Sequence, residues 1–244
     1  MKIKQSEVVL AVDETLGESP SGFAAVCVAR IDHVAAASLA LQTLKARLVS
    51  DPYFKSIPSV RESLAQDGLH YSQDTPDVRK EAIQTLQGIA FEAYIAFTDS
   101  ATVDQTYSWY DRLLAAILPD RLAENRHQCC HIVAEIHGER TKRLAELNAL
   151  VLRIVSRLES KSGVRFEVTP TLSMATKTEA YLAIPDYIVG CFRDYWLKGQ
   201  HDSATISTRH FGELWSRVRV VVNTDSGQRY WRNRPLPGFD KDPA

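Results

Sequence analysis

The chain has 244 residues, of which 45% are hydrophobic and 24% charged, and its formal net charge is -1. This length suits one large domain, and this composition excludes a disordered chain. The near-neutral charge argues neither for nor against a polyanionic partner, so a nucleic-acid surface requires local clustering of basic residues. No apolar run approaches the roughly 20 residues that cross a bilayer, and the N-terminal segment predicts a strand rather than a signal peptide. We therefore expect a cytoplasmic protein without a membrane partner.

Short apolar runs predict the strands of a sheet. Residues 6–13 (SEVVLAVD) form a run that ends in acids, which is typical of a strand buried on both faces. The turn-forming segment TLGESPSG separates it from a second apolar run at residues 21–30, so the two strands are expected to form a hairpin. Further strands are predicted at residues 89–97, 128–136 and 164–168.

Helical spacing and capping signals predict the remaining elements. Asp32 is a plausible N-cap for the first helix, and Pro76 suits the first position of the second. Pro119 is expected to end the third helix, residues 50–75 are expected to be irregular, and Pro185 must kink or restart a late helix. The predicted helices cover residues 32–49, 75–87, 104–118, 139–160, 179–197 and 206–216.

This order of elements predicts an α/β sheet with helices packed on its faces. We expect a main domain over residues 1–205, with residues 206–244 as a C-terminal helix and basic arm of the same unit. The four cysteines form no C-x-x-C pair and lie in apolar segments, so we expect reduced thiols and no zinc site. The sequence also lacks the glycine-rich phosphate loops, the G-x-S-x-G elbow and the H-E-x-x-H pair.

Carboxylates are the candidates that remain. Asp13 and Glu14 end the first apolar strand, where a buried charge is costly unless it is paired or bound to a metal. Asp186 lies in IPDYIVGCF, where Gly190 would let a ligand or neighbouring backbone approach closely. The alternatives are a solvated strand end for Asp13, and a helix cap or an ion pair with Arg193 for Asp186.

Two further candidates carry weaker signals. Glu135 shares one strand face with His131 and His137, so the three could bind a metal, or they could simply lie on the exposed side of an edge strand. His70, in GLHYSQD, matters only if the fold brings it to the acids.

The C-terminal region is locally basic. Residues 209–234 contain six arginines against two acids, with Trp215, Tyr230 and Trp231 interleaved. Arginine binds phosphates bidentately and aromatic rings stack on bases, so the mixture suits single-stranded nucleic acid. An arm that packs on its own domain, or on a second subunit as a homodimer, is the alternative. The expected nucleic-acid contacts are Arg193, Arg229, Trp231, Arg232 and Arg234.

Taken together, these segments resemble the domain-of-unknown-function 3800 family. VVLAVDET followed by GFAAVCVARI is similar to that family's opening, and YLAIPDYIVGCFRDYW is similar to its Leu-Gln-x-Ala-Asp-x-x-x-Gly helix. GLHYS lies where the family often has a histidine-bearing segment. The resemblance covers roughly residues 6–198. Thr15, Ala183 and Pro185 depart from the usual serine, glutamine and small residue.

The resemblance implies a ribonuclease H-like fold and a site of divalent metals. In that fold, acids at the end of strand one, on a middle strand and on a late helix hold the ions. Asp13 and Asp186 match the first and last of these, Glu14 matches the family's glutamate, and Glu135 matches the middle-strand acid by position only. Two Mg²⁺ or Mn²⁺ ions about 4 Å apart can activate water and stabilise the leaving oxygen in phosphodiester cleavage.

The resulting hypothesis is a metal-dependent nuclease or phosphodiesterase acting on nucleic acid. Asp13, Asp186, Glu135 and His70 would form its catalytic group, with His70 as a proton shuttle or substrate contact. The alternative is a catalytically inactive ribonuclease H-like module that binds nucleic acid or a protein partner. A third hypothesis is a dimeric interaction protein that uses the arm around Trp231.

Overall fold

The computed structural model describes residues 7–16, 22–66, 68–100, 108–135, 140–199 and 205–239. Within these ranges, seven strands form one sheet and eight α-helices pack on it. The predicted turn over residues 17–21 and the predicted helix start over 104–107 lie outside the described residues. Among the helices of the described ranges, none is long and apolar enough to cross a membrane.

The sheet has the strand order β5-β4-β1-β2-β3-β6-β7. Strand β2 is antiparallel to both β1 and β3, which confirms the predicted hairpin, whereas β4 runs parallel to β1 and β5 runs parallel to β4. The predicted α/β class, a mixed sheet flanked by helices, is confirmed. The strands are β1 Glu7–Leu16, β2 Ala24–Ile31, β3 Glu92–Thr98, β4 Cys129–Glu135, β5 Thr171–Ala175, β6 Val218–Asn223 and β7 Arg229–Tyr230.

Strand β1 lies at the centre of this sheet because both of its faces are apolar. Val8, Leu10 and Val12 belong to one hydrophobic cluster, and Ala11 belongs to the cluster on the other face. This period of two follows from the pleat of a β-strand. Asp13 continues the side of Ala11, so its carboxylate points to the same layer of helices.

The helices divide between the two faces of the sheet. Helices α5 and α6 cover the face of Val8 and Leu10, while α1, α4, α7 and α8 cover the face of Ala11. The helices are α1 Val34–Ser50, α2 Pro52–Lys55, α3 Pro58–Gln66, α4 Pro76–Gly88, α5 Ser108–Glu124, α6 Arg140–Ser162, α7 Ala183–Asp194 and α8 Ile206–Trp215.

Three local predictions about helices are wrong. Asp32 does not cap α1, because its carboxylate pairs with the Arg30 guanidinium at 2.9 Å and His33 holds the cap position. Pro119 lies inside α5 rather than at its end, since the buried face continues past it to Leu122. The segment 50–75 contains the short helices α2 and α3.

The fifth strand was predicted in the wrong place. Residues 164–168 form no strand, and β5 begins at Thr171, directly after Pro170. Met174 provides the buried side chain that anchors β5, which pairs in parallel with β4. The late helix predicted over residues 179–197 consists of three parts: a 3₁₀ turn at Ala180–Leu182, α7, and a π-helical turn at Tyr195–Gly199.

The segment 68–75, called here the histidine segment, is fastened to α7. The Tyr71 amide donates to Asp186 Oδ2 at 2.7 Å, and the Tyr71 hydroxyl donates to Asp194 Oδ2 at 2.9 Å. A Cβ on Gly190 would lie 2.3 Å from Tyr71 Cδ1. The space predicted at Gly190 is therefore filled by the Tyr71 ring, which lets the segment lie directly on the helix.

We predict that Gly190→Ala destabilises the protein by about 1–3 kcal/mol, because the buried Tyr71 ring must move to admit the methyl group. Gly88→Ala is the matched control, since nothing lies within 4 Å of its Cβ. That variant should stay within about 1 kcal/mol of wild type, because alanine is the better helix former. Urea denaturation measures both variants. Equal effects of the two substitutions would contradict the proposed contact.

Candidate functional site

Asp13 and Glu135 lie side by side on one face of the sheet. Strands β1 and β4 are paired in parallel as far as Val12 and Ala134, and the next position on each strand carries the acid. Asp13 is only 2% exposed, and its Oδ1 accepts a hydrogen bond from the Glu14 amide at 2.8 Å. Both carboxylates therefore lie at the carboxyl edge of the central parallel strands.

Helix α7 brings the third carboxylate to the same edge. The helix begins at Ala183 and packs on β1 and β2, and Pro185 in its first turn lacks an N–H that would have no intrahelical partner. Asp186 follows and is buried, with Oδ2 facing the Tyr71 amide. The first turn of α7 thus places the Asp186 carboxylate near the end of β1.

A lysine that the sequence interpretation missed lies among these acids. Lys177 Nζ is 2.9 Å from Asp186 Oδ2 and 3.4 Å from Glu135 Oε2, and its side chain is only 6% exposed. Burial by itself would lower the pKa of Lys177, but the charges of Asp186, Asp13 and Glu135 outweigh it and raise the pKa above its usual value. Lys177 is therefore an ammonium ion at neutral pH.

These four residues, Asp13, Glu135, Lys177 and Asp186, form what we call the carboxylate–lysine centre. Three carboxylates and one ammonium leave two negative formal charges in a largely buried place. Charges removed from water cost several kcal/mol each unless they are well paired, and an apolar core would stabilise the fold at least as well. Such an arrangement is typical of a functional site rather than of a structural core.

Glu14 does not join the centre. It follows Asp13 directly, so the strand alternation turns its side chain to the other face of the sheet. There its charge raises the pKa of Tyr110, after the larger effect of burial, and Tyr110 belongs to the cluster beneath α5. The structure thus separates the two acids that the sequence places together.

The Glu135 side chain is only 10% exposed, and His131 lies at the other end of the strand. The edge-strand explanation is wrong, because β4 lies between β1 and β5. His131 bonds through Nδ1 to Thr171 Oγ1 at 2.7 Å, four residues before Glu135. His137 lies outside the described residues.

His70 is brought to the rim of the centre. Its Nδ1 lies 3.8 Å from Asp186 Oδ2 and 3.1 Å from Ser72 Oγ, and its ring is partly exposed. The histidine segment therefore places an imidazole between the carboxylate–lysine centre and solvent, as the proton-shuttle hypothesis requires.

Arg193 pairs with a neighbour rather than with Asp186. Its guanidinium lies 3.2 Å from Asp194 Oδ1 and donates to Thr15 Oγ1 at 3.3 Å. The alternative explanation of Asp186 as a partner of Arg193 is excluded, because Asp186 pairs with Lys177 and Arg193 with Asp194. Arg193 nonetheless lies beside the end of β1, at the margin of the centre.

The basic arm lies at the β7 edge of the sheet. Strand β7 is four strands from β1, which is about 19 Å at about 4.8 Å per strand. Arg229, Trp231, Arg232 and Arg234 are exposed there. Further along, the Phe239 ring stacks on Trp215 at 5.5 Å, so the end of the described arm packs on its own domain.

The residues of the centre supply the right atoms for divalent metals but not a site for two ions. Mg²⁺ and Mn²⁺ take oxygen ligands, and three carboxylates converge. The Lys177 ammonium, however, already contacts two of them. Across the described ranges, no three histidine, cysteine, aspartate or glutamate side chains are arranged to hold a metal ion. The two-ion arrangement does not fit while Lys177 occupies this position.

No protein-family model matches the chain, and no curated protein matches it. Among solved structures, the chain is similar to the ribonuclease H2 from Pyrococcus horikoshii OT3, at 20% sequence identity over 85% of each chain and with a TM-score of 0.39. The class that the sheet defines is an α/β protein with a mixed sheet flanked by helices. The ribonuclease H-like assignment and the resemblance to the domain-of-unknown-function 3800 family stay predictions.

Asp74 is a buried carboxyl group behind the centre. Burial raises its pKa to about 6, although the Tyr187 hydroxyl and the His70 amide both donate to it, and the nearby charge of Asp186 raises the pKa further. The ordinary pKa of an unfolded aspartate is about 3.9. The folded protein thus binds the Asp74 proton more tightly than the unfolded chain does.

We predict that this group destabilises the fold as the pH rises. The contribution of Asp74 to the free energy of unfolding is fully present below about pH 4. It is lost as the pH rises through about 6, which lowers the free energy of unfolding by up to about 3 kcal/mol. Asp74→Asn keeps an acceptor oxygen without the charge, so its unfolding free energy should fall less between pH 4 and 7. Asp32→Asn, at an exposed carboxylate, is the control. If the unfolding free energies of wild type and Asp74→Asn changed in parallel with pH, this prediction would be refuted.

Proposed function

We propose that this protein is a nuclease-like module that hydrolyses phosphodiester bonds in nucleic acid, with the carboxylate–lysine centre as its active site. One observation carries the proposal: residues from β1, β4, the turn after β5 and α7 converge at one buried point. Carboxylates gathered at the end of strand one, a middle strand and a late helix are what the family resemblance implies for a ribonuclease H-like nuclease.

The chemistry that the residues offer suits this reaction. Hydrolysis requires an attacking water to lose a proton, a P–O bond to break and the leaving oxygen to gain a proton. A carboxylate of Asp13 or Asp186 can accept the proton of the water. Lys177 can neutralise the charge that develops on the phosphate oxygens, and His70 lies where it can exchange protons with solvent.

Mg²⁺ or Mn²⁺ is the cofactor that we propose for this centre. Such an ion would supply Lewis acidity. Asp13, Asp186 and Glu135 would hold it only after their side chains rearrange, since among the described residues they are not arranged to hold a metal ion. Glu14 faces away and is left out of this ligand set.

Basic side chains would guide the substrate. Arg193 lies beside the centre and can bind a phosphate through its guanidinium fork. Arg229, Arg232 and Arg234 with Trp231 could hold a strand that extends across the sheet, because about 19 Å is a span of only a few nucleotides.

A non-catalytic module is the second candidate function. The observation in its favour is Lys177, whose ammonium already balances part of the charge that a metal would balance. Such a module would use the fold and the arginines to bind nucleic acid or a protein partner.

To test the proposal, cleavage of labelled single- and double-stranded DNA and RNA is measured with Mg²⁺ or Mn²⁺. We expect Asp13→Asn and Asp186→Asn to reduce the rate at least about 100-fold, because each removes a charged group from the reacting centre. Asp32→Asn, an exposed acid after the end of β2, should cleave like wild type.

The outcomes separate the two candidate functions. Cleavage that survives both substitutions would exclude this centre as the active site. Absence of cleavage by wild type, together with salt-sensitive binding of nucleic acid that weakens in Arg232→Ala, would favour the non-catalytic module.

A further inference from the structure

Lys177 occupies the point at which the carboxylates of the centre meet. We propose that Lys177 is a resident cation that takes the place of one divalent ion, so that the native centre holds at most one. This inference rests on the proposed function, because it concerns the metal dependence of the same site. It differs from the two-ion site that the sequence resemblance implies.

The distances support the assignment. The ammonium contacts Asp186 at 2.9 Å and Glu135 at 3.4 Å, which brings its positive charge to two acids from different elements. Asp13 is close enough for its charge to raise the pKa of Lys177 as well. A cation between several carboxylates is the position that a bridging metal would take, and one point cannot hold both.

The charge balance limits the number of ions. Three carboxylates and one ammonium leave two negative formal charges, and one divalent ion balances them. A second divalent ion would leave two positive charges uncompensated in a largely buried place. Because unpaired charge is costly to bury, the second ion is strongly disfavoured while Lys177 remains.

The backbone holds Lys177 in this position. It lies in a turn between β5 and the 3₁₀ turn before α7, where the Glu179 amide donates to the Thr176 carbonyl at 3.0 Å and the Thr176 and Thr178 hydroxyls bond at 2.7 Å. A Cβ on Gly68 would lie 3.4 Å from the Lys177 carbonyl oxygen, so the histidine segment packs against the same turn. The lysine is therefore built into the centre rather than reaching it from a distant surface.

The test measures the number and affinity of bound Mn²⁺ ions on the full chain without substrate, by native mass spectrometry and by electron paramagnetic resonance of free Mn²⁺. Lys177→Met removes the charge and keeps the length of the side chain. Lys177→Arg is the matched control, because it keeps the charge. Nucleic-acid cleavage with Mn²⁺ is measured separately on wild type.

We expect wild type and Lys177→Arg to bind no more than one Mn²⁺, and Lys177→Met to bind Mn²⁺ at least about tenfold more tightly than wild type. Two ions on wild type would overturn the inference and leave the nuclease proposal intact. Equal affinity of Lys177→Met and wild type would overturn it too. Cleavage that needs no added metal and resists a chelator would instead count against the metal-dependent nuclease, whatever the ion count.

Lys177→Met leaves three carboxylates facing one another, so it is refolded in the presence of Mn²⁺. If it still fails to fold, Lys177→Gln provides the comparison, because its amide can donate to the carboxylates without the charge. We expect the melting temperature of either variant to rise with added Mn²⁺ by more than that of wild type. A smaller or equal rise would contradict the inference.

Discussion

The burial of three carboxylates around one ammonium is the interaction on which the rest of this site depends. Removing the Lys177 ammonium would leave three carboxylates without a balancing charge inside the protein, and that is among the most costly changes that a single substitution can make. The fold meets this cost with an apolar sheet and with elements that converge from four parts of the chain. The proposed chemistry of the centre therefore comes with a cost in the stability of the fold.

Strand β1 and helix α7 carry most of this arrangement. The strand is buried on both faces, so its position in the middle of the sheet is strongly determined, and Asp13 is placed with it. Helix α7 begins at Ala183 and packs on that strand, and Asp186 in its first turn and Asp13 both act on the charge of Lys177. The histidine segment then lies on α7 because Gly190 leaves room for Tyr71. The position of each of these three elements depends on its packing against the one before it.

The basic arm and the centre are two separate surfaces of one sheet. The arm includes β7 and the residues that follow it, while the carboxylates lie near β1 and β4. On the proposed function, a nucleic-acid strand that contacts both would have to span the width of the intervening strands β2, β3 and β6.

The chain itself, through apolar periodicity and capping signals, determined most of the architecture. The hairpin of β1 and β2 and the start of α4 at Pro76 follow from local patterns, because apolar runs, turn formers and prolines mark where elements begin and end. Asp13 and Asp186 could be named from the same information. Tertiary packing overrode the local signals at Pro119, at Asp32 and at the fifth strand.

Only the tertiary structure decided the composition of the centre. Sequence patterns do not point to Lys177, because they predict the fifth strand at residues 164–168. The turn that follows β5 is therefore not predicted to lie at the carboxyl edge of the sheet. The separation of Glu14 from Asp13 depends on strand alternation, and the pairing of Asp186 with Lys177 instead of Arg193 depends on how α7 crosses the sheet. The physical reason is that charge pairing acts through space at a few ångströms, and positions distant along the chain come that close only when the fold is complete.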